Sequence, residues 1–516
     1  SYEYDSKGRF VTSIEEPDGK ESLSVTDPGT GNTISFTGID NLTTTYEYDG
    51  LGRLSKTTTP LGHNILSAVA WDNTSSDIPS VYYSTVTAPG RPSLTEYYDS
   101  FGRTLRTSGD AFGGTVFVDS EYNPEGTVKK VSWPYRSGDI KRWTGYSYDD
   151  YQRLTEENNN SLLTQYSYNV NTITVTYPDQ KTKIAVLNSL NQPVQITEND
   201  NSQIMYDYNS FGQVCSVTTP GNLVSFFYDQ YGLRDSIYNS NSGGVKLSYN
   251  AFREPVSQTD ANGLETEVQY DVLGRVTTKT TPEGTITYNY VGTGNGVRQI
   301  SSVTGPGGVS EGYTYDGYGR LTQFSRTIQN EITLNYQYLY DQYGNNTSVT
   351  YPSAMRIENV YDSYGNLIEI KQENGTLIWQ LNSLRATGNP AQYTLGPNSL
   401  TRTFGYDSYE HLSNITTGLW QQSYSFNPST GNLNSRSYKN VNSQDELTES
   451  FQYDLMNRLT SSQVNGLQQY SVTYDQTGNI LTKSDAGSYT YDPMKVNALV
   501  TLENNPGTIS PDMQSI

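Results

Sequence analysis

Tyr46-Glu47-Tyr48-Asp49-Gly50-Leu51-Gly52-Arg53-Leu54 is the stretch that decides the fold. Tyr-x-Tyr puts two aromatic rings on one face of a strand, because side chains alternate with period two. Asp-x-x-Gly then fits a type I turn. The Asp carboxylate accepts hydrogen bonds from turn N–H groups, and Gly at the fourth position takes φ > 0 at little cost. After Gly the chain resumes as Arg-Leu among β-branched residues, which favours a second strand. The stretch therefore predicts a β-hairpin.

The motif returns around Tyr98, Asp99, Gly102 and Arg103, around Tyr148, Asp149 and Arg153, and around Tyr270, Asp271, Gly274 and Arg275. Further copies hold Tyr315, Asp316, Gly319 and Arg320, then Tyr453, Asp454 and Arg458. Weaker copies carry Asn for Asp, as at Tyr208-Asn209 and Tyr249-Asn250. From Tyr208 the anchors fall at 228, 249, 270, 290, 315, 340 and 361, a period no chance Tyr-Asp pair would keep. A second turn closes many units, such as Pro60-Leu61-Gly62, Pro282-Glu283-Gly284 or Asn374-Gly375. No amphipathic helix is visible. Strand and turn repeated some two dozen times predict an all-β chain: one long antiparallel sheet of hairpins. Twist forces such a sheet to curl, and its edges need covering, so it is expected to spiral into a hollow shell or barrel-like cocoon. Spacing is irregular at about 60–95, 110–145 and 380–400, where loops, plugs or insertions are expected.

Composition agrees with a wall. The 516 residues are 34% hydrophobic and only 17% charged, with 45 Tyr. The aromatic content argues against disorder, and a hollow wall needs less apolar filling than a globule. Lys+Arg 33 against Asp+Glu 54 gives a net charge of −21, which excludes phosphate-backbone binding as a main role. A lone cysteine, Cys215, excludes an internal disulfide and a multi-Cys zinc site. No apolar run is long enough for a membrane-spanning helix. The opening Ser1-Tyr2-Glu3-Tyr4-Asp5 is no signal peptide and starts inside a motif, so the chain reads as a piece of something longer.

Tyr-x-Tyr-Asp-x-x-Gly-Arg-Leu at intervals of about 20 residues resembles the YD repeat, also called the Rhs repeat, from Tyr2 to Asp492. The stretch from Gly478 to Pro493 is similar to Rhs segments that precede the conserved core. The family includes Rhs polymorphic toxins, the B and C components of Tc toxins, wall-associated proteins and teneurins. The resemblance implies a spiralling β-shell that encloses a C-terminal or associated cargo polypeptide, in a secreted or cell-surface protein served by a secretion or delivery apparatus. Residues 1–516 then form one continuous repeat region without a separate catalytic domain. Toxin-type members end in an Asp-Pro-rich core motif, where self-cleavage occurs. Tyr491-Asp492-Pro493 and Ser510-Pro511-Asp512 do not match it, so no autoproteolytic residue is carried over. The chain closes at Gln514-Ser515-Ile516 in what resembles the start of another strand.

Chemistry was sought in each constellation. The Asp/Arg pairs four residues apart, from Asp5/Arg9 to Asp454/Arg458, recur in so many units that they read as architecture, each bridging its own turn, with Arg placed to stack on a repeat Tyr. The tyrosines suit a carbohydrate platform but read better as a cross-strand aromatic ladder. His63 and His411 lack metalloprotease spacing, and Cys215 lacks a base nearby in sequence. Asp260-Ala261-Asn262-Gly263 lacks the remaining calcium ligands, and Gly292, Gly294 and Gly296 precede no helix. No catalytic residue, cofactor or metal is therefore assigned. The function expected is a toxin-encapsulating shell, with a surface adhesion or carbohydrate-binding role as the alternative.

Overall fold

The computed structural model describes residues 1–73, 77–329, 331–443 and 446–503. The expectations placed on Ser510-Pro511-Asp512 and on Gln514-Ser515-Ile516 lie outside them. The protein is all-β: the described residues form 46 strands in one antiparallel sheet. Among the described residues the single helical element is a 3-10 turn, Pro306–Gly308. Strand follows strand as its own neighbour's partner. From Trp143–Tyr148 to Pro255–Thr259 the succession of antiparallel pairs is unbroken.

Alternation sets the two faces. In Thr43–Tyr48, Thr44, Tyr46 and Tyr48 are partly covered, while Thr43, Thr45 and Glu47 are exposed. Gln203–Tyr208 repeats this, with Ile204, Tyr206 and Tyr208 on the covered face. Neither face is packed as deeply as a globular core. Among the described residues the buried large apolar side chains are Leu105, Tyr135, Leu381 and Val472, and of these Val472 alone is fully buried.

The stretches of irregular spacing mix strand with longer connections: Asn64–Trp71 and Tyr82–Thr87 lie in 60–95, and Leu377–Leu384 and Pro390–Leu395 in 380–400. The 110–145 stretch does leave the sheet: residues 133–142 form a loop whose backbone bridge to it is Phe117 to Tyr135.

The chain divides into two compact units. Unit 1 comprises 1–121, 131–142 and 266–401; unit 2 comprises 122–130, 143–265 and 402–516. Each contains two stretches of ribbon far apart in sequence, and in each the stretches meet turn to turn. The ribbon has a motif edge, made of Asp-x-x-Gly turns, and a return edge, made of the turns between motifs. In unit 1 the return-turn residue Asp18 takes a double hydrogen bond from Arg298, with Nη2 to Oδ1 at 2.6 Å and Nε to Oδ2 at 3.0 Å. His63 Nε2 lies 2.6 Å from the Gln342 carbonyl, and Arg136 Nη1 donates to the Leu384 carbonyl at 2.7 Å. In unit 2 Asn160 donates to the Ser408 carbonyl, Lys181 to Asn457, and Asn241 to Asn497. Apart from the Arg136 bond, which runs from the loop 133–142 to the end of a strand, each of these contacts sets a return turn of the earlier stretch on a motif turn of the later one.

Candidate functional site

The motif turn is the recurrent site, and Asp271–Arg275 shows how its residues are used. Asp271 N–H donates to the Arg275 carbonyl and Gly274 N–H to the Asp271 carbonyl, which closes a type I turn. Gly274 sits at φ 75°, the left-handed step that follows such a turn in a hairpin. The register slips there, so that Tyr270 pairs with Val276 across the bulge. Asp271 Oδ1 accepts the N–H of Leu273 at 2.9 Å and of Arg275 at 3.1 Å, and Oδ2 accepts Arg275 Nε at 2.7 Å. Burial works against the Asp271 charge. The guanidinium and N–H bonds outweigh it and hold the carboxyl below its ordinary range.

The arginine also reaches forward. The Arg275 guanidinium lies 4.2 Å over the Tyr290 ring, in the next unit, and Nη1 donates to the Arg298 carbonyl at 3.2 Å. Tyr290 in turn donates its hydroxyl to the Val276 carbonyl at 2.8 Å, one residue after the arginine. This motif therefore locks its successor, and three others do the same. Arg153 covers Tyr168, whose hydroxyl donates to Leu154; Arg320 covers Tyr340, which donates to Leu321; Arg458 covers Tyr474, which donates to Leu459. Tyr48, Tyr315 and Tyr453 make the same backward bond, to Thr33, Ile300 and Leu433. In three turns without the arginine a glutamine reaches forward instead. Gln192, Gln213 and Gln299 each donate to the carbonyl of the glycine in the following motif turn: Gly212, Gly232 and Gly319.

The other motif residues follow suit with variations. Asp49, Asp99, Asp149, Asp316 and Asp454 each bond their own Arg53, Arg103, Arg153, Arg320 or Arg458 through Nε. Gly52, Gly102 and Gly319 take positive φ, and Gln152 and Asn457 do so in their glycine-less turns. Tyr98 differs: its ring stacks on Tyr82 and its hydroxyl donates to Glu96. Tyr148 packs at the same bulge, opposite Leu154. An aromatic ladder exists locally, as in Tyr313–Phe324–Tyr336–Tyr351, but the dominant bond of the motif tyrosine is to backbone.

Sequence reasoning missed a second constellation, in unit 1. Arg106 and Asp119 are buried and joined by Nε–Oδ1 at 2.6 Å and Nη2–Oδ2 at 3.0 Å. Tyr135 donates to Asp119 at 2.7 Å, Lys141 at 2.6 Å, and Asp77 pairs with Arg106 from the other side at 2.8 Å. Burial would raise the Asp119 carboxyl, but Arg106, Lys141 and Tyr135 overcome it and hold it at about 2. No spacing rule announces this group, since its members come from two strands, the loop 133–142 and, at Asp77, a connection ahead of both strands.

The remaining candidates sit apart from one another. The His63 ring lies against Tyr343, His411 Nδ1 is 3.1 Å from Asp407, and Cys215 is half-buried within the strand Val214–Thr219. Among the described residues no group of His, Cys, Asp and Glu is arranged to hold a metal. A cleft of about 490 Å³ in unit 1 is lined by Lys20, Glu21, Asp40, Asn295 and Gln299; one of about 470 Å³ in unit 2 by Asp229, Tyr231, Asp235, Tyr249 and Arg253. The first is a mainly polar trough between turns, and the second is lined by apolar and polar groups alike. No helix among the described residues is long and apolar enough to cross a membrane.

Residues 90–306 match the family model described as Teneurin YD-shell, and residues 27–63 match that of the RHS repeat. No curated protein matches the sequence. In fold the chain is similar to the crystal structure of TcdB2–TccC3 without its hypervariable C-terminal region. That match has 12% identity and a TM-score of 0.82, over 97% of this chain and 35% of that one. It is also similar to the Tc holotoxin pore of Photorhabdus luminescens carrying a TccC3 mutation, at 12% identity and TM-score 0.81, over 97% and 35%. TcdB2–TccC3 itself gives 13% and 0.74, over 96% and 34%. The chain thus spans about a third of the length of these structures. At such identity the likeness establishes the fold.

Proposed function

Because this chain belongs to the YD/RHS-repeat family, we propose that it is a stretch of wall in the encapsulating shell of a secreted or exported Rhs-type toxin. The wall would enclose a C-terminal or associated cargo polypeptide and keep it from its surroundings until a delivery apparatus releases it. All 516 residues would act as one continuous wall, with a structural rather than a catalytic part to play.

The observation that carries the reading is the forward lock from one motif to the next. Arg275, Arg153, Arg320 and Arg458 each hold the turn they belong to and the tyrosine of the following unit. The charged groups of the motif are thus engaged in joining rung to rung, which suits a container and leaves little for substrate. A one-layer sheet joined in this way is stiff without a filled core. The net charge of −21 sets nucleic acid aside as cargo-side partner of the wall.

Electron microscopy of the full-length protein tests the proposal, combined with protease digestion of the native particle. A hollow with internal density, and a cargo segment cut only after denaturation, is the expected result. A solid globule, or a cargo segment cut as fast in the native particle as after denaturation, would end it.

A further inference from the structure

In unit 1 the two stretches of ribbon meet turn on turn at Asp18 with Arg298 and at His63 with Gln342. At the strand end Leu384 they meet through an intermediary. The turn 385–389 that follows has the motif bonds, Arg385 N–H to the Asn389 carbonyl and Gly388 N–H to the Arg385 carbonyl, with Arg385 in the place of the aspartate. The earlier stretch contributes the return turn 110–115, and Arg136 of the loop 133–142 bonds to both sides. Its Nη1 donates to the Leu384 carbonyl at 2.7 Å and its Nη2 to the Phe112 carbonyl at 2.8 Å. The guanidinium rests on Gly113, where a Cβ would stand 3.4 Å from Nη2. The loop thus acts as a strap whose arginine is wedged into the seam.

The strap is seated by separable bonds. Trp133 N–H donates to the Arg142 carbonyl and closes its base, and Tyr135 exchanges two backbone bonds with Phe117. Tyr135 is buried, whereas Ile140 at the tip is 91% exposed. The strap's hold on the ion cluster is Tyr135 and Lys141, both donating to Asp119 Oδ2. The rest of that cluster joins strand to strand: Arg106 holds Asp119 by two bonds of its own. If the strap leaves, Arg106 and Asp119 stay paired and water takes the vacated acceptor positions, so no buried charge is orphaned. The seated strap also carries a fault. Arg136 Nε is buried with no hydrogen-bond partner among the described residues, which disfavours the seated state and is relieved on release.

We propose that the loop 133–142 is a gate strap: it leaves its seat as one unit and withdraws Arg136 from the seam between 110–115 and Leu384, while the strands of unit 1 stay paired. Such an opening is a sub-global one, below the free energy of unfolding the sheet. Its purpose, to part the wall at one place, rests on the shell reading above; the opening itself does not.

Hydrogen exchange of the whole chain, read by mass spectrometry of its peptides under native conditions, provides the test. Peptides carrying the bonded amides of Trp133, Tyr135 and Phe117 should exchange together, and faster than the strands Leu94–Tyr98 and Thr104–Gly109. Arg136→Gln and Tyr135→Phe weaken different anchors of the strap. Each should speed exchange at all three amides by one common factor, roughly tenfold or more, and leave the two strands unchanged. A side chain with only a local structural role would move the amides beside it and spare the others. Strap amides that exchange no faster than the strands overturn the proposal. So does a variant whose effect is confined to its own neighbours or spreads equally to the strands. None of these outcomes bears on whether electron microscopy finds a hollow, so the gate can fail while the wall stands.

Discussion

Unit 1 joins arginine to aspartate in two ways. In the motif turn Asp271 and Arg275 are four residues apart and stay partly in water, their side chains 20% and 27% exposed. Between the strands Thr104–Gly109 and Val116–Tyr122, Arg106 and Asp119 are thirteen apart and nearly dry, at 9% and 7%. The first pair is local and repeated, so solvent and neighbouring turns share its work. The second is unique and takes its partners from three segments. A repeat spreads stability over many weak, interchangeable joints, whereas a departure from the repeat concentrates it in one.

Removal of the shared carboxylate should therefore have the largest effect. Asp119→Ala leaves Arg106 buried beside a hole and strips Tyr135 and Lys141 of their acceptor. A broken buried pair costs about 3–5 kcal/mol. Asp271→Ala removes two turn hydrogen bonds and a partly hydrated ion pair, for about 1–2 kcal/mol. Urea unfolding of both variants checks the ranking, and equal losses would dissolve the distinction between knot and clasp.

Acid should separate the two next. The Asp119 carboxyl titrates at about 2 in the folded protein, against 3.8 when unperturbed. A depressed folded value means that the stabilisation is fully present above pH ~4 and drains away as pH falls toward 2. Its size is about 2 kcal/mol. Thermal melts should steepen in their pH dependence below pH ~4, and Asp119→Asn should flatten that limb. An unchanged limb in the variant would move the acid sensitivity to the motif carboxylates.

The motif half of this contrast was legible in the residues and the knot was not, for a physical reason. The motif's contacts lie within one turn or between consecutive hairpins, so a fixed spacing in sequence is a fixed spacing in space. Asp49 with Arg53 and Gly52 could be placed in their turn from that alone. The motif tyrosine's main partner was less visible. A backbone carbonyl fourteen or fifteen residues upstream carries no side-chain signature, so Tyr290 and Tyr168 read as aromatic pairs before they read as hydroxyl donors. Arg106, Asp119, Tyr135 and Lys141 obey no period. Contacts across a seam, such as Asp18 with Arg298, depend on how far the ribbon travels before it meets itself.

The tyrosine bond gives a smaller test. Tyr290→Phe keeps the ring under Arg275 but leaves the Val276 carbonyl without its donor. A loss of about 1 kcal/mol is expected. Tyr290→Leu should lose more, because the cation–π contact goes too. If the two variants melt alike, the arginine stack contributes nothing and the joint between units is the hydroxyl alone.

The smallest effect should be a gain. Gln152 occupies the glycine place of its motif turn at φ 60°, and its N–H donates to the Asp149 carbonyl as Gly274 N–H does to Asp271. A side chain with a Cβ is strained in that conformation, by about 1–2 kcal/mol relative to glycine. Glycine also frees the unfolded chain, which returns part of the benefit. Gln152→Gly should therefore stabilise by about 0.5–1 kcal/mol, whereas Gly274→Ala should destabilise by about 1 kcal/mol. Opposite signs at equivalent positions would show that the turn's backbone, rather than the identity of the unit, sets the cost. Equal signs would mean that the degenerate copy has repacked around its glutamine and is no longer the same turn.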